Sequence, residues 1–457
     1  MGYAITDIEA ADKFVQDHSE DARYVEAWDK WVVWRGDRWV VGQKADISSK
    51  AESTVRKFEH EALSIPNPKD REEAIRCARQ LQSDSRIRAM LNRSKGRITA
   101  SPDVFDKDPW LLNTYSGTVD LKNGMLHKYE RKDFLTRILP IPFLSEWSES
   151  VHLGKLRCEL GYDCPRWLDF LNTVLQGKQP LIQYMQKVVG YCLTGDISDQ
   201  SLFILYGEGG NGKTTFLETI RLLLGDYAHQ TNFSAFLAQK NDKTWHELAR
   251  LKGARLATAV ESDLGARLNE PLIKQVTGGD KITARFLYKE FFEYTPQFKL
   301  FLATNHRPEI RGRDHAIWRR VRLIPFSARI PRKDQDPYLL PKLMEELPEI
   351  LSWAVEGCLL WQDSGLEPPA EVTAATEKYK EEMDMVKQFL DDFCVLPPGK
   401  KARASELHEA YSRFCEAAGK NYMKLSRKAL AEELRRKGIK DKRDKYGNYW
   451  EAVELPP

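Results

Sequence analysis

Apolar positions along the chain follow two spacings, and the places where one gives way to the other mark its elements. Short apolar runs at 202–205, 255–260, 299–304 and 318–326 have the length and composition of buried strands. Between the first two, Phe216, Ile220, Leu223 and Leu224 fall at helical spacing until Gly225 stops the pattern. Strand and helix alternate in this way over 197–330, which predicts an α/β core built on a parallel sheet. Upstream, helical periodicity covers 8–18 and 72–91. Residues 31–41 read as two short strands around a Gly36-Asp37 turn, and 110–125 as a hairpin with an Asn123-Gly124 turn. Trp167, Phe170, Leu171 and Val174, then Leu181, Tyr184, Met185, Val188, Val189 and Tyr191, mark two amphipathic helices ahead of the core. Beyond it, 339–361 and 369–393 read as two or three helices and Pro397-Pro398-Gly399 as a linker. Then come 404–418, 426–437 and a strand pair around 446–448, the outline of a small winged-helix-like module. No internal repeat or low-complexity tract interrupts this plan.

Composition narrows the class. The 457 residues are 30% charged and 42% hydrophobic, the balance of a globular chain long enough for about three cores. No apolar run approaches the roughly 20 residues that span a bilayer, so no membrane association is expected. The first residues turn acidic at once (Asp7, Glu9, Asp12), which predicts no secretory leader. Seven cysteines, at 77, 158, 164, 192, 358, 394 and 415, form no C-x-x-C pair. That argues against zinc modules and disulfide frameworks and fits a reducing cytoplasm. Net charge is only +3, yet residues 400–457 hold 15 Lys/Arg against 9 Asp/Glu, so the rest of the chain is net −3. The basic end is a candidate for docking duplex DNA. Four tryptophans (28, 31, 34 and 39) could stack on bases, but such a cluster is more often core, and core is the expectation.

The strand at 202–205 runs directly into Gly207-Glu208-Gly209-Gly210-Asn211-Gly212-Lys213-Thr214-Thr215. Within it, Gly207-x-x-x-x-Gly212-Lys213-Thr214 is a phosphate-binding loop: glycines let backbone N–H groups turn inward, Lys213 neutralises β/γ oxygens and the Thr214 hydroxyl holds Mg²⁺. The chain is thus expected to bind a nucleoside triphosphate. Hydrolysis further needs a carboxylate near the metal and the attacking water, a polar sensor of the γ-phosphate and a cation for the transition state. Glu261 follows the run 255–260 at its C-terminal end, where ligands bind in open α/β sheets, Asn305 ends the run 299–305, and Arg319 and Arg320 stand just before the last strand.

That order resembles a superfamily-3 helicase, and more closely the helicase part of the phage/plasmid primase family, which includes the poxvirus helicase-primase. The matching residues are 207–215, Val-Glu-Ser-Asp at 260–263, Leu-Ile-Lys-Gln-Val-Thr-Gly-Gly-Asp at 272–280, Ala-Arg-Phe-Leu-Tyr at 284–288, Leu-Ala-Thr-Asn at 302–305 and Ile-Trp-Arg-Arg at 317–320. Similarity continues upstream through 111–121 and 190–195 and covers roughly four-fifths of the chain. The resemblance implies an AAA+ P-loop NTPase core of superfamily-3 type at 197–330, behind an α/β domain at 1–155 and a helical oligomerisation or collar segment at 156–196. A helical segment at 331–395 and a basic winged-helix-like DNA-binding domain at 396–457 complete it. It implies ATP and Mg²⁺ as cofactors, with Lys213, Thr214 and the Walker B acid Glu261 at phosphate and metal and Asn305 as γ-phosphate sensor. Arg320 is the arginine finger of first choice, with Arg319 the alternative. Ser262 follows Glu261 where many relatives have a second acid, so whether Glu261 or Asp263 orients water stays open. Residues 281–294 correspond to a hairpin in the ring channel, where Lys289 at the tip, then Arg285 and Lys281, would grip DNA phosphates. The implied protein is a hexameric 3′→5′ DNA helicase in the cytoplasm of a cell hosting a phage, plasmid or other mobile element. A DNA-binding initiator or assembly platform without processive unwinding is the alternative. No primase acid cluster is evident (Asp106-x-Asp108 reads as surface), so a separate primase is an expected partner.

Overall fold

The computed structural model describes residues 5–144, 164–238, 243–260, 266–287, 289–312, 315–394, 400–451 and 453. The first part packs helix α1 (Asp7–His18) on a small antiparallel sheet, β1 (Ala22–Val25), β2 (Lys30–Trp34) and β3 (Trp39–Val41). Three helices follow: α2 (Lys44–Leu63), α3 (Pro68–Gln80) and α4 (Asp84–Lys95). A second antiparallel sheet contains β4 (Leu111–Thr114), β5 (Gly117–Asp120) and β6 (Met125–His127). The periodicity at 72–91 is two helices rather than one, because Ser83 starts a new one. Helix α2 escaped the pattern reading because its buried Ile47, Ala51 and Val55 are spread thinly among polar residues. Of the four tryptophans Trp39 is core: it is fully buried, stacks on Phe134 and donates its Nε1–H to the Arg131 carbonyl, while Trp28, Trp31 and Trp34 are half-buried against the core. Asp106 is structural, its carboxylate accepting from the Thr136 amide and hydroxyl.

Helices α5 (Pro165–Val174) and α6 (Gln179–Leu193) lead to a five-stranded parallel sheet. Along the chain run β7 (Leu202–Tyr206), α7 (Lys213–Leu224), β8 (Ala228–Asn232), α8 (Lys243–Arg250), β9 (Leu256–Val260) and α9 (Glu270–Gly278). The hairpin β10 (Ile282–Ala284) and β11 (Phe292–Tyr294) precedes β12 (Lys299–Thr304), the short α10 (His315–Trp318) and β13 (Val321–Pro325). Spatial order is β13-β7-β12-β9-β8, so β7 lies between β12 and β13. Strands are apolar on both faces because each face buries its own core. Phe203, Leu205, Phe301 and Ala303 pack toward α7 and toward helices that flank the sheet segment in sequence, α5, α6 and later α12. Leu202, Ile204, Leu300 and Leu302 pack toward α8, α9 and α10.

Four helices, not two or three, come next: α11 (Leu339–Glu345), α12 (Leu347–Ser364), α13 (Ala370–Met383) and α14 (Met385–Phe393). Helices α6 and α12 cross in backbone contact. A Cβ on Gly190 would lie 2.0 Å from the Cys358 nitrogen, and one on Gly357 2.1 Å from the Gln186 carbonyl oxygen. No residue but glycine fits either side of that crossing. The last part adds β14 (Lys401–Arg403), α15 (Ala404–Ala417), α16 (Arg427–Arg436), β15 (Asp441–Asp444) and β16 (Gly447–Glu451), with β16 central in a three-stranded sheet. Its core joins Leu407, Tyr411, Leu430, Leu434 and Trp450 to Phe389 of α14. No helix of the described residues is long and apolar enough to cross a membrane.

Candidate active site

At the C-terminal end of β7 the chain turns through Gly207–Gly212 into α7. Gly212, the N-cap of α7, has φ of 85°, in the left-handed region that favours glycine, and a Cβ there would meet Val174 Cγ1 at 2.5 Å. No side chain caps α7, so its first amides and the positive end of its dipole are directed at whatever anion the loop encloses. Lys213, the first residue of α7, is buried. Its Nζ donates to the carbonyls of Gly207 (2.6 Å) and Glu208 (3.3 Å) and to the side-chain oxygens of Asn211 (3.0 Å) and Asn305 (3.1 Å). Burial, with no carboxylate among these acceptors, holds the ammonium pKa below its usual value. Asn211 in turn donates Nδ2–H to the Phe326 carbonyl at 2.8 Å, which ties the loop to the end of β13.

Asn305 follows the last residue of β12, adjacent to β7 in the sheet, so register alone brings it to Lys213. The expected pair of loop lysine and strand-end asparagine is therefore assembled. Gly209, Gly210, Thr214 and Thr215 line the same cavity, of about 1050 Å³. Val260 carries β9 to its wall. Glu261, Ser262 and Asp263 lie outside the described residues.

Two walls of this cavity carried no motif. Phe170 and Thr173 of α5 form one; Ile330, Gln335 and Leu339 form the other. The Ile330 amide donates to the Gly210 carbonyl (3.2 Å), and Gln335 Nε2–H donates back to the Ile330 carbonyl (2.8 Å), so segment 330–335 is stitched to the glycine loop. Their only sequence signal is apolar periodicity, which does not separate a site wall from core.

The two arginines sit elsewhere. They precede β13, whose first residue pairs with Leu202 at the start of β7. The five residues of β13 put them roughly 16 Å from the loop, at the opposite end of the strands. They also differ from each other. Arg320 is buried, donating Nε–H to Thr277 Oγ1 (3.0 Å) and a terminal N–H to the Ala316 carbonyl. Arg319 is exposed, and its guanidinium donates to Gln200 Oε1. Arg320 is thus held by inner contacts, whereas Arg319 faces solvent.

The hairpin is shorter than its sequence suggested, three residues per strand, with residues 285–291 forming the tip and Tyr288 outside the described residues. Lys289 and Lys281 are exposed; Arg285 is half-buried with its guanidinium 4.5 Å from the Phe291 ring centroid. Two buried cations went unnoticed in the sequence, although each heads an apolar strand run. Arg255 donates to the carbonyls of Leu193 and Leu111 (2.6 Å for the latter). Lys299 donates to those of Thr194 and Asp196 (3.1 Å for the latter), and burial pushes its pKa down to about 7.

Residues 11–176 match a family model described as D5 N terminal like, and residues 205–320 match that of a family of unknown function. "Putative helicase L207/L206" of Acanthamoeba polyphaga mimivirus is 30% identical over 276 residues, covering 55% of this chain and 28% of that protein. "Putative helicase 022R" of Frog virus 3 is 27% identical over 384 residues, covering 69% and 39%. "Putative primase C962R" of African swine fever virus is 23% identical over 276 residues, covering 55% and 29%. The chain thus spans between 28% and 39% of the length of these relatives. Among solved structures, the apo C-terminal region of NrS-1 (305–718) aligns over 95% of this chain and 96% of that one, at 9% identity and a TM-score of 0.49.

Proposed function

We propose that this chain, similar over residues 11–176 to a family described as D5 N terminal like and to putative viral helicases, couples ATP hydrolysis to movement along DNA as one subunit of a ring. The observation that carries the reading is Lys213 Nζ held between the glycine loop and Asn305 Oδ1, on adjacent strand ends beneath an uncapped helix. The residues fit a triphosphate: the amides of 209–215 and the α7 dipole take the phosphates, and Lys213 exchanges neutral carbonyl acceptors for anionic oxygens. Asn305 reports on the γ-position through its contact with Lys213 and holds the attacking water's side of the site. Thr214 is the described donor for Mg²⁺, and Glu261 its expected acidic partner. The metal would supply charge neutralisation across the β- and γ-oxygens. Phe170, Ile330 and Leu339 close the apolar end of the cavity against water.

Arg319 is the arginine finger in this reading. It lies at the end of the strands opposite its own loop, so it acts on the site of an adjoining copy. A homo-hexamer of this kind leaves the β10–β11 tip, with Lys289 and the flanking Arg285 and Lys281, to track DNA phosphates. The parallel sheet supports an AAA+ core of superfamily-3 type. Helices α15 and α16 with the β14-β16-β15 sheet support a winged-helix module that docks duplex DNA. In that module Arg435 and Arg436 are tied to Asp441 and Glu433. Arg427, Lys428, Arg443 and Lys445 form no ion pair among the described residues and would meet phosphates. The host-cell cytoplasm and a separate primase partner complete the proposal.

The test is ATPase activity with and without single-stranded DNA, together with strand release from a forked substrate. DNA-stimulated hydrolysis with unwinding supports the motor. Hydrolysis without strand release supports an assembly platform, and indifference to DNA overturns both.

A further inference from the structure

Everything around Arg319 is fixed except its side chain. Its amide donates to the His315 carbonyl (3.0 Å), its carbonyl accepts from the Arg322 guanidinium (2.9 Å), and the next carbonyl, of Arg320, accepts from the Leu202 amide (2.8 Å). The guanidinium itself has one polar contact among the described residues, the side-chain oxygen of Gln200. Gln200 is conspicuous for a separate reason: its φ of 51° lies in the left-handed region, where a long side chain is unfavourable and glycine is ordinary.

The loop that presents Gln200 is pinned along its length. Lys299 holds the carbonyls of Thr194 and Asp196; the Asp196 carboxylate accepts from the Ser198 amide (2.8 Å) and hydroxyl; Asp199 accepts from Trp361 Nε1–H. The Gln200 amide closes the turn on the Ile197 carbonyl (3.0 Å). A rigid loop, a strained backbone and a single aimed amide all converge on one exposed guanidinium. Strain kept at such a point, where glycine would relieve it, indicates that the side chain is used.

We propose that Gln200 is the positioning residue for Arg319, holding the guanidinium extended from the sheet edge so that it enters the site of the adjoining copy already oriented. Gln200 touches neither nucleotide nor metal; it acts through Arg319. The inference rests on the trans role of Arg319 argued above.

The experiment measures steady-state ATP turnover and nucleotide affinity of the full chain with DNA, alongside particle mass. Arg319→Ala comes first and should lower kcat by about 10³ or more. Gln200→Ala and Gln200→Gly should each lower kcat by about 10- to 100-fold, the scale of an ångström-sized misplacement, with nucleotide affinity and particle mass unchanged. The glycine variant relieves the backbone, so its equal loss assigns the effect to the amide. Arg319→Ala/Gln200→Ala should be no slower than Arg319→Ala alone. Gln200→Ala mixed with Lys213→Ala should regain turnover, because an intact loop then faces an intact finger. Normal turnover in Arg319→Ala overturns the trans reading itself. A dead Arg319→Ala beside a fully active Gln200→Ala overturns the positioning role alone. So does a slow Gln200→Ala that mixing fails to restore.

Discussion

Lys299 offers a quantitative test of how the sheet is anchored to the segment before it. Its Nζ sits fully inside the protein, bonded to two backbone carbonyls and 4.7 Å from the Tyr191 ring centroid, with no carboxylate in its hydrogen-bond set. Burial lowers its pKa from 10.5 to about 7. Below pH 7 folded and unfolded chains both carry the proton, and the burial penalty is present in full. As pH rises past 7 the folded chain releases the proton while the unfolded chain keeps it to about pH 10.5, so stability increases. The limiting slope is about 1.4 kcal/mol per pH unit. The clean window ends near pH 9, because Cys192 and Cys358, pushed up to about 12 by burial, begin to oppose it there. Over pH 7 to 9 the gain is therefore between about 1 and 3 kcal/mol, allowing for relaxation around the charge. Lys299→Met removes the titration together with the burial penalty the ammonium carries below pH 7, and it strips a donor from the Thr194 and Asp196 carbonyls, a pH-independent loss of about 1–3 kcal/mol. Urea midpoints followed by tryptophan fluorescence at pH 7, 8 and 9 should show a rising wild-type line and a flatter variant line. Parallel lines would refute the buried, readily deprotonated ammonium.

Five further substitutions have expected outcomes. Lys213→Ala should abolish phosphate release, and Asn305→Ala should lower kcat by about 10²-fold while retaining nucleotide binding measured by equilibrium titration. Arg320→Ala should lower the thermal midpoint, a loss of about 2 kcal/mol for its buried contacts, whereas Arg319→Ala should leave that midpoint in place; calorimetry separates the two. Lys289→Ala should reduce the slope of log affinity for single-stranded DNA against log salt by about 0.7, and an unchanged slope would place the phosphate contact elsewhere.

The sequence was legible where one residue type has one physical use. Gly212, Lys213 and Asn305 could be placed because a loop at a strand end and a neighbouring strand end must meet. Helix α2 was not, since its apolar positions are few, nor was the break at Ser83, since capping residues are common within helical runs. The cavity walls at Phe170 and Ile330 stayed hidden because an apolar side chain facing a ligand has the same spacing as one facing core. Nor was it legible which of the adjacent Arg319 and Arg320 guanidiniums turns inward. That choice is set by Thr277 on a helix some forty residues away, which no local pattern contains.

The glycine crossing of α6 and α12 bears on how this protein can be cut. Residues 205–320, taken alone, would keep one helix (α7) on that face of the sheet but lose α5, α6 and α12, which lie on both sides in sequence and complete the covering. A soluble fragment retaining the glycine loop must therefore start before Pro165 and extend beyond Ser364, and a bulky residue placed at Gly190 or Gly357 should act like a truncation, prying off that covering in an otherwise intact chain.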